Sequence, residues 1–146
     1  VSSTVGSVLI RFTMPASIAS RQVLIGSSNT ATANDWFEIG VDSDSRVYMQ
    51  TSVGGSVRTI RAVTVLSALI EYTLAVVFDG TDYLVRIDGV EENPLTIEAF
   101  AVAAGWFGTV TSGNALRVGT TATSGGNQRA FSGTITAVEI YSTDIT

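Results

Sequence analysis

The stretch Tyr72-Thr73-Leu74-Ala75-Val76-Val77-Phe78-Asp79-Gly80, continued by Thr81-Asp82-Tyr83-Leu84-Val85-Arg86-Ile87-Asp88-Gly89, decides the fold. Two apolar runs flank Asp79-Gly80-Thr81-Asp82, whose residue types favour a turn, so the segment reads as a β-hairpin. A second Asp-Gly, Asp88-Gly89, sends the chain back again. Period-2 spacing puts Val76 and Phe78 on one face of the first strand, and Val85 and Ile87 on one face of the second.

A second stretch, Phe131-Ser132-Gly133-Thr134-Ile135-Thr136-Ala137-Val138-Glu139-Ile140-Tyr141, is a strand that changes parity. Phe131, Gly133 and Ile135 share one face, yet Val138 and Ile140 fall on the other register. A β-bulge near Thr136-Ala137 brings all the large side chains to the same side.

The remaining chain reads as further strands. Val8, Ile10, Phe12 and Met14 alternate with Leu9, Arg11 and Thr13 and end at Pro15. Strands follow at 22–26, 36–41 and 46–51, with a polar loop at 27–34 and the turn Asp42-Ser43-Asp44-Ser45. Segment 57–65 alternates, with Arg58 and Arg61 on a wetter side, and a short strand surrounds 95–97. Segment 99–108 suits either a helical turn or a buried loop. A strand at 115–120 precedes the flexible turn Ser124-Gly125-Gly126-Asn127. About ten to twelve strands, with turns every 8–12 residues, make a sandwich or a barrel. The core expected from this spacing is Val8, Ile10, Phe12, Val76, Phe78, Val85, Ile87, Val118, Ile135, Val138 and Ile140.

In this order the segments resemble the laminin-G-like, concanavalin A-like jelly-roll family. Its members carry a hairpin of the form HVAVTYDG…LYVDG and finish in FxGxIDEVRIYN. Segment 115–120 is similar to the family's LRIG, and Met14-Pro15 stands where the family has a WxKP turn. The hairpin departs at its start. Glu71-Tyr72 replaces the Trp-His of many members, so no role of that pair carries over. The resemblance spans nearly the whole chain. It implies an all-β, two-sheet antiparallel jelly-roll β-sandwich, concanavalin A-like, as a single domain over residues 1–146. That fold hosts lectins, hydrolases, receptor modules and viral proteins, so function has to be argued from residues.

Composition narrows the chemistry. The 146-residue chain has no cysteine and no histidine, and its eight basic residues are all arginine. The thiolate, the imidazole base and the Schiff-base amine are therefore missing. A formal charge of -5 opposes both a nucleic-acid footprint and an anionic membrane surface. No apolar run reaches the ~20 residues of a membrane span. Only 14% of residues are charged, against about 25% on average. Mean hydropathy is positive. These values suit either a surface partly covered by partner subunits or a neutral Ser/Thr/Gly/Asn surface typical of extracellular β proteins. The start Val1-Ser2-Ser3-Thr4 is neither a Met start nor a signal peptide, and points to a processed product or part of a longer chain.

Three kinds of site deserve a test. Glycoside hydrolases of this fold show Glu-x-Asp-x-x-Glu on one strand, and no such spacing occurs here. Glu91-Glu92 sits at a turn, and Glu38, Glu71, Glu98 and Glu139 are isolated, so no enzyme is expected. Calcium, which wants 6–8 oxygens, would draw on Asp42-Ser43-Asp44 and Asn34-Asp35. These are equally ordinary turn residues, so no cofactor is assigned. A sugar would stack on Trp36 or Trp106 and bond Asn34, Asp35 and Asn127, although both tryptophans also suit core or edge cover. The scattered arginines read as solvated strand positions or interface partners.

The expectation is a non-catalytic recognition module, extracellular or on a virion surface, that binds glycan. The alternative is a structural decoration, fibre or shell subunit with protein-only contacts. In either case self-association or docking into a larger assembly is expected, through a sheet edge or a flat face.

Overall fold

The computed structural model describes residues 5–110, 113–123 and 126–142, except for the side chains of 99, 100, 122, 123 and 126–128. The strands run β1 (Gly6–Thr13), β2 (Gln22–Ser28), β3 (Trp36–Val41), β4 (Val47–Val53) and β5 (Ser56–Arg61). They continue with β6 (Glu71–Phe78), β7 (Tyr83–Ile87), β8 (Val90–Glu91) and β9 (Thr96–Phe100). After a 3-10 turn at Phe107–Thr109 come β10 (Ala115–Val118), β11 (Thr121–Thr123), β12 (Gly126–Gln128) and β13 (Thr134–Tyr141).

Two antiparallel sheets face each other. One has the order β13-β1-β6-β7-β8 and the other β10-β2-β3-β4-β5-β9, with β11-β12 as a separate small ribbon. Alternation explains the stack. Val8, Ile10, Phe12, Leu74, Val76, Phe78, Val85 and Ile87 point inward from the first sheet, against Phe37, Ile39, Val41, Met49 and Ile60 of the second. Among the described residues no helix is long and apolar enough to cross a membrane.

The deciding hairpin forms as its turn residues require. The Asp79 carboxylate accepts from the Thr81 and Asp82 amides at 2.7 and 2.9 Å, closing β6 to β7. At the next reversal Asp88 and Gly89 have φ of 51° and 80°, the two positive values that a type I′ turn demands. The Asp88 carboxylate also accepts from the Thr73 amide at 2.8 Å. The parity change in β13 is a bulge. Arg11 pairs with Ala137 and Phe12 with Ile135, leaving Thr136 as the extra residue. Ile135, Val138 and Ile140 then share the inner face and pack on the core, though half-buried, because β13 is an edge strand.

Several expectations need correction. Val118 is 52% exposed, since β10 is a four-residue edge strand with no strand beyond it among the described residues. The polar loop after β2 starts later than expected, because Ser27 and Ser28 pair with Phe37 and Trp36. The alternating run after β4 stops at Arg61. From there the chain crosses to the other sheet, held by Glu92, whose carboxylate accepts from the Val63 and Thr64 amides at 2.9 Å and the Thr64 hydroxyl at 2.6 Å. Segment 99–108 is strand at its start, then a loop with Gly105 and Trp106 inside the core, and it enters the 3-10 turn at Phe107, which is also buried. Residues 124 and 125 of the expected turn lie outside the described residues, while Gly126 and Asn127 belong to β12.

Candidate functional site

Because β3 alternates, Phe37, Ile39 and Val41 fill the core while Trp36, Glu38 and Gly40 point to the outer face of the six-stranded sheet. Register extends that face across neighbours. Glu38 lies between Gly26 and Gln50, and Gln50 pairs onward with Thr59. Gly40 pairs with Tyr48, and Tyr48 with Arg61. Gly40 is required here, because a Cβ would stand 2.9 Å from the Tyr48 ring and 2.2 Å from the Gln22 carbonyl. The phenol lies down over that gap and reaches Glu38.

Glu38 is the centre of the arrangement. Its side chain is only 1% exposed, and a buried carboxylate needs partners to persist. It has three. The Tyr48 hydroxyl donates to Oε1 at 2.9 Å, the Thr121 hydroxyl donates to Oε2 at 2.8 Å, and Arg129 Nη1 also donates to Oε1. Burial pushes the Tyr48 phenol far above its ordinary range, and the neighbouring charge and hydrogen bond of Glu38 add to this. Burial opposes the charge on Arg129, but Glu38 outweighs it and holds the guanidinium protonated.

Arg129 brings the remaining parts together. Its Nη1 also donates to Gln50 Oε1 at 3.0 Å, and Gln50 Nε2 donates to Thr59 at 2.6 Å. Its guanidinium carbon lies 5.0 Å from the centre of the Trp36 ring, within cation–π range. Its backbone has φ of 55°, an uncommon conformation for a residue with a Cβ. Its side chain remains 36% exposed, so the guanidinium faces solvent as well as Glu38. At the other end of the face Arg21 stacks 5.0 Å over Tyr48 and bonds Asp42 at 2.9 Å. Arg61 bridges Asp42, Asp44 and Glu98 at 2.6, 2.9 and 2.9 Å. Burial would raise the Asp42 carboxyl, but Arg61, the Ser43 amide and Arg21 together hold it down at about 2.

The expected site residues are dispersed. Trp36 does lie on this face, 9% exposed and flanked by Arg129. Asn34 and Asp35 serve the adjoining loops. The Asn34 carbonyl accepts from Ser52 Oγ at 2.6 Å, and the Asp35 carboxylate accepts from the Gly54 amide at 2.8 Å. Trp106 cannot be a platform, because it is fully buried between Phe37, Phe78 and Phe107. Asn127 is in β12, and its side chain lies outside the described residues. The carboxylate of Asp42 is committed to two guanidinium groups. Among the described residues no group of three or more His, Cys, Asp or Glu is placed to hold a metal ion.

Sequence reading missed Glu38, Gln50, Tyr48 and Arg129. Glu38 in an otherwise apolar strand was the available signal, since a lone acid there demands a cation from elsewhere in the chain. A concavity of about 270 Å³ is lined by Arg58, Ile60, Tyr83, Leu84, Leu95 and Ile97 among others. It lies at the flank formed by β7, β8 and β9, away from the Glu38 face.

No family model matches this sequence, and no curated protein does. Solved structures do. The CBM40 module of the Ruminococcus gnavus IT-sialidase bound to α2,3-sialyllactose has a TM-score of 0.82 at 16% identity, covering 99% of this chain and 79% of that one. The leech intramolecular trans-sialidase complexed with 2,7-anhydro-Neu5Ac has a TM-score of 0.79 at 18% identity, covering 99% of this chain and 22% of that one. The heptameric SAP-like pentraxin of Limulus polyphemus has a TM-score of 0.62 at 16% identity, covering 99% of this chain and 66% of that one. These likenesses establish the two-sheet antiparallel jelly-roll sandwich.

Proposed function

We propose that this chain is a non-catalytic recognition module, extracellular or on a virion surface, that binds glycan on the outer face of its six-stranded sheet. One observation carries the reading. A buried carboxylate, Glu38, holds the Arg129 guanidinium beside Trp36, with the Gln50 amide bonded to the same guanidinium. The Arg129 guanidinium, 36% exposed, is the group positioned there to pair with a sugar's hydroxyls or a carboxylate, while Trp36, 9% exposed, offers an edge beside it and Gln50 fixes the guanidinium from below. The same geometry argues against catalysis there. Glu38 is 1% exposed and already accepts from three donors, which commits it to holding Arg129 in place.

The choice of probe follows from the neighbours in structure. R. gnavus modules of this fold were solved with α2,3- and α2,6-sialyllactose, which supports sialylated glycans as the first ligands to try. The test is calorimetric titration of the chain with both trisaccharides and with lactose. Saturable binding that is lost in Arg129→Ala supports the reading. Binding to none of them, together with a blank on a broad glycan array, contradicts it. A second reading, a structural subunit with protein-only contacts, is favoured by the half-exposed apolar flank along β10 and β13.

A further inference from the structure

We propose that two copies of this chain pair through β13, antiparallel and edge to edge, joining their five-stranded sheets into one. Edge strands are ordinarily blunted by shortness or charge. Among the described strands β8 has two residues, β10 has four and carries Arg117, and β9 carries Glu98, which is bound to Arg61 and Arg21. β13 differs. It has eight residues, one charge and no proline, and its side away from β1 has no partner strand among the described residues. The flank beside it is apolar. Ile135, Val138 and Ile140 are half-buried, and Leu116 and Val118 on the facing edge are 41% and 52% exposed.

Charge selects a second copy as the occupant. Directly opposed residues of paired antiparallel strands share a face, so a two-fold axis at Val138 sets Val138 against its own copy and Glu139 against Ala137. Ala137 pairs inward with Arg11, which is exposed on the same outer face. Each Glu139 therefore lines up with Arg11 of the second copy across a small alanine, and although its Oε2 accepts from the Tyr141 hydroxyl, its Oε1 can take the guanidinium. The contact forms twice, as an isologous interface requires. Moving the axis by one residue to Glu139 would oppose two carboxylates, which is unfavourable. The axis stands perpendicular to the joined sheet, so both six-stranded sheets lie on the same side of it and their outer faces point the same way.

The test is a charge swap read by sedimentation velocity over a concentration series. The native chain is expected to dimerise reversibly. Arg11→Glu and Glu139→Arg should each weaken the dimer by about tenfold, and the double variant should recover most of the loss. Val138→Lys should give a monomer. An unchanged amide spectrum in the single variants separates loss of pairing from loss of fold. A native chain that stays monomeric throughout the series, or a dimer that the single swaps and Val138→Lys leave intact, overturns the proposal.

Discussion

The guanidinium of Arg129 lies 5.0 Å from the centre of the Trp36 ring. The two residues are 93 positions apart, and neither would hold this place alone. Arg129 is fixed by Glu38 and Gln50, and Trp36 by its place in β3 beside Ser28 and Ser52. The left-handed φ at Arg129 is the backbone cost of turning its side chain onto the sheet.

Arg129→Ala should therefore weaken both binding and folding. Sialyllactose affinity should fall by at least about tenfold, the loss expected when one charge-assisted contact goes. The thermal midpoint should drop as well, because buried Glu38 loses its cationic partner, so affinity is compared well below the variant's midpoint. Calorimetry and a melting curve on the same sample check both halves. Equal affinity in the variant would remove Arg129 from the site.

Asp42 should contribute a pH-dependent part of stability. Its folded value of about 2 lies below the ordinary 3.8 of an aspartate, so its stabilisation is complete above about pH 4 and fades as pH falls towards 2. Asp42→Asn should be less stable than the native chain at neutral pH, and the gap should close across that window. Urea midpoints at stepped acid pH measure it.

Trp106→Ala should cost about 3–5 kcal/mol, the usual penalty for emptying a large aromatic site in a core. Its ring packs 4.9 Å from Phe107 and 5.6 Å from Phe37, so the gap cannot close by a small shift of one neighbour. Chemical denaturation gives the number. A loss below about 1 kcal/mol would contradict full burial of the indole.

Deleting Thr136 should destabilise the chain by about 3 kcal/mol. Without the extra residue, either Val138 and Ile140 or Ile135 and Phe131 turn to the outer face, and Phe131 loses its edge contact with Phe12 at 5.8 Å. The equilibrium urea curve of the deletion variant checks this.

These residues also show what could be read in advance. The bulge at Thr136 and the hairpin at Asp79 and Asp88 are local signals, a parity change and Asp-led turns, and both were legible. Val118 has the same alternation as a core residue, but burial depends on neighbours, and among the described residues β10 is an edge strand. Trp106 looked available beside alanines and glycines, yet those small residues let the chain turn its indole inward. The Glu38–Arg129 pair spans 91 positions, and no spacing rule connects a strand acid to an arginine that far along the chain. The Thr121–Gln128 pairing was equally hidden, because a short polar ribbon carries no hydrophobic period.

The most direct test of glycan binding on the Glu38 face is an amide and indole chemical-shift titration with α2,3- and α2,6-sialyllactose. The account predicts saturable shifts at Trp36, Glu38, Tyr48, Gln50 and Arg129, absent with lactose alone. Shifts confined to the cleft at Arg58, Tyr83 and Ile97, or no saturable shift with either ligand, would contradict it.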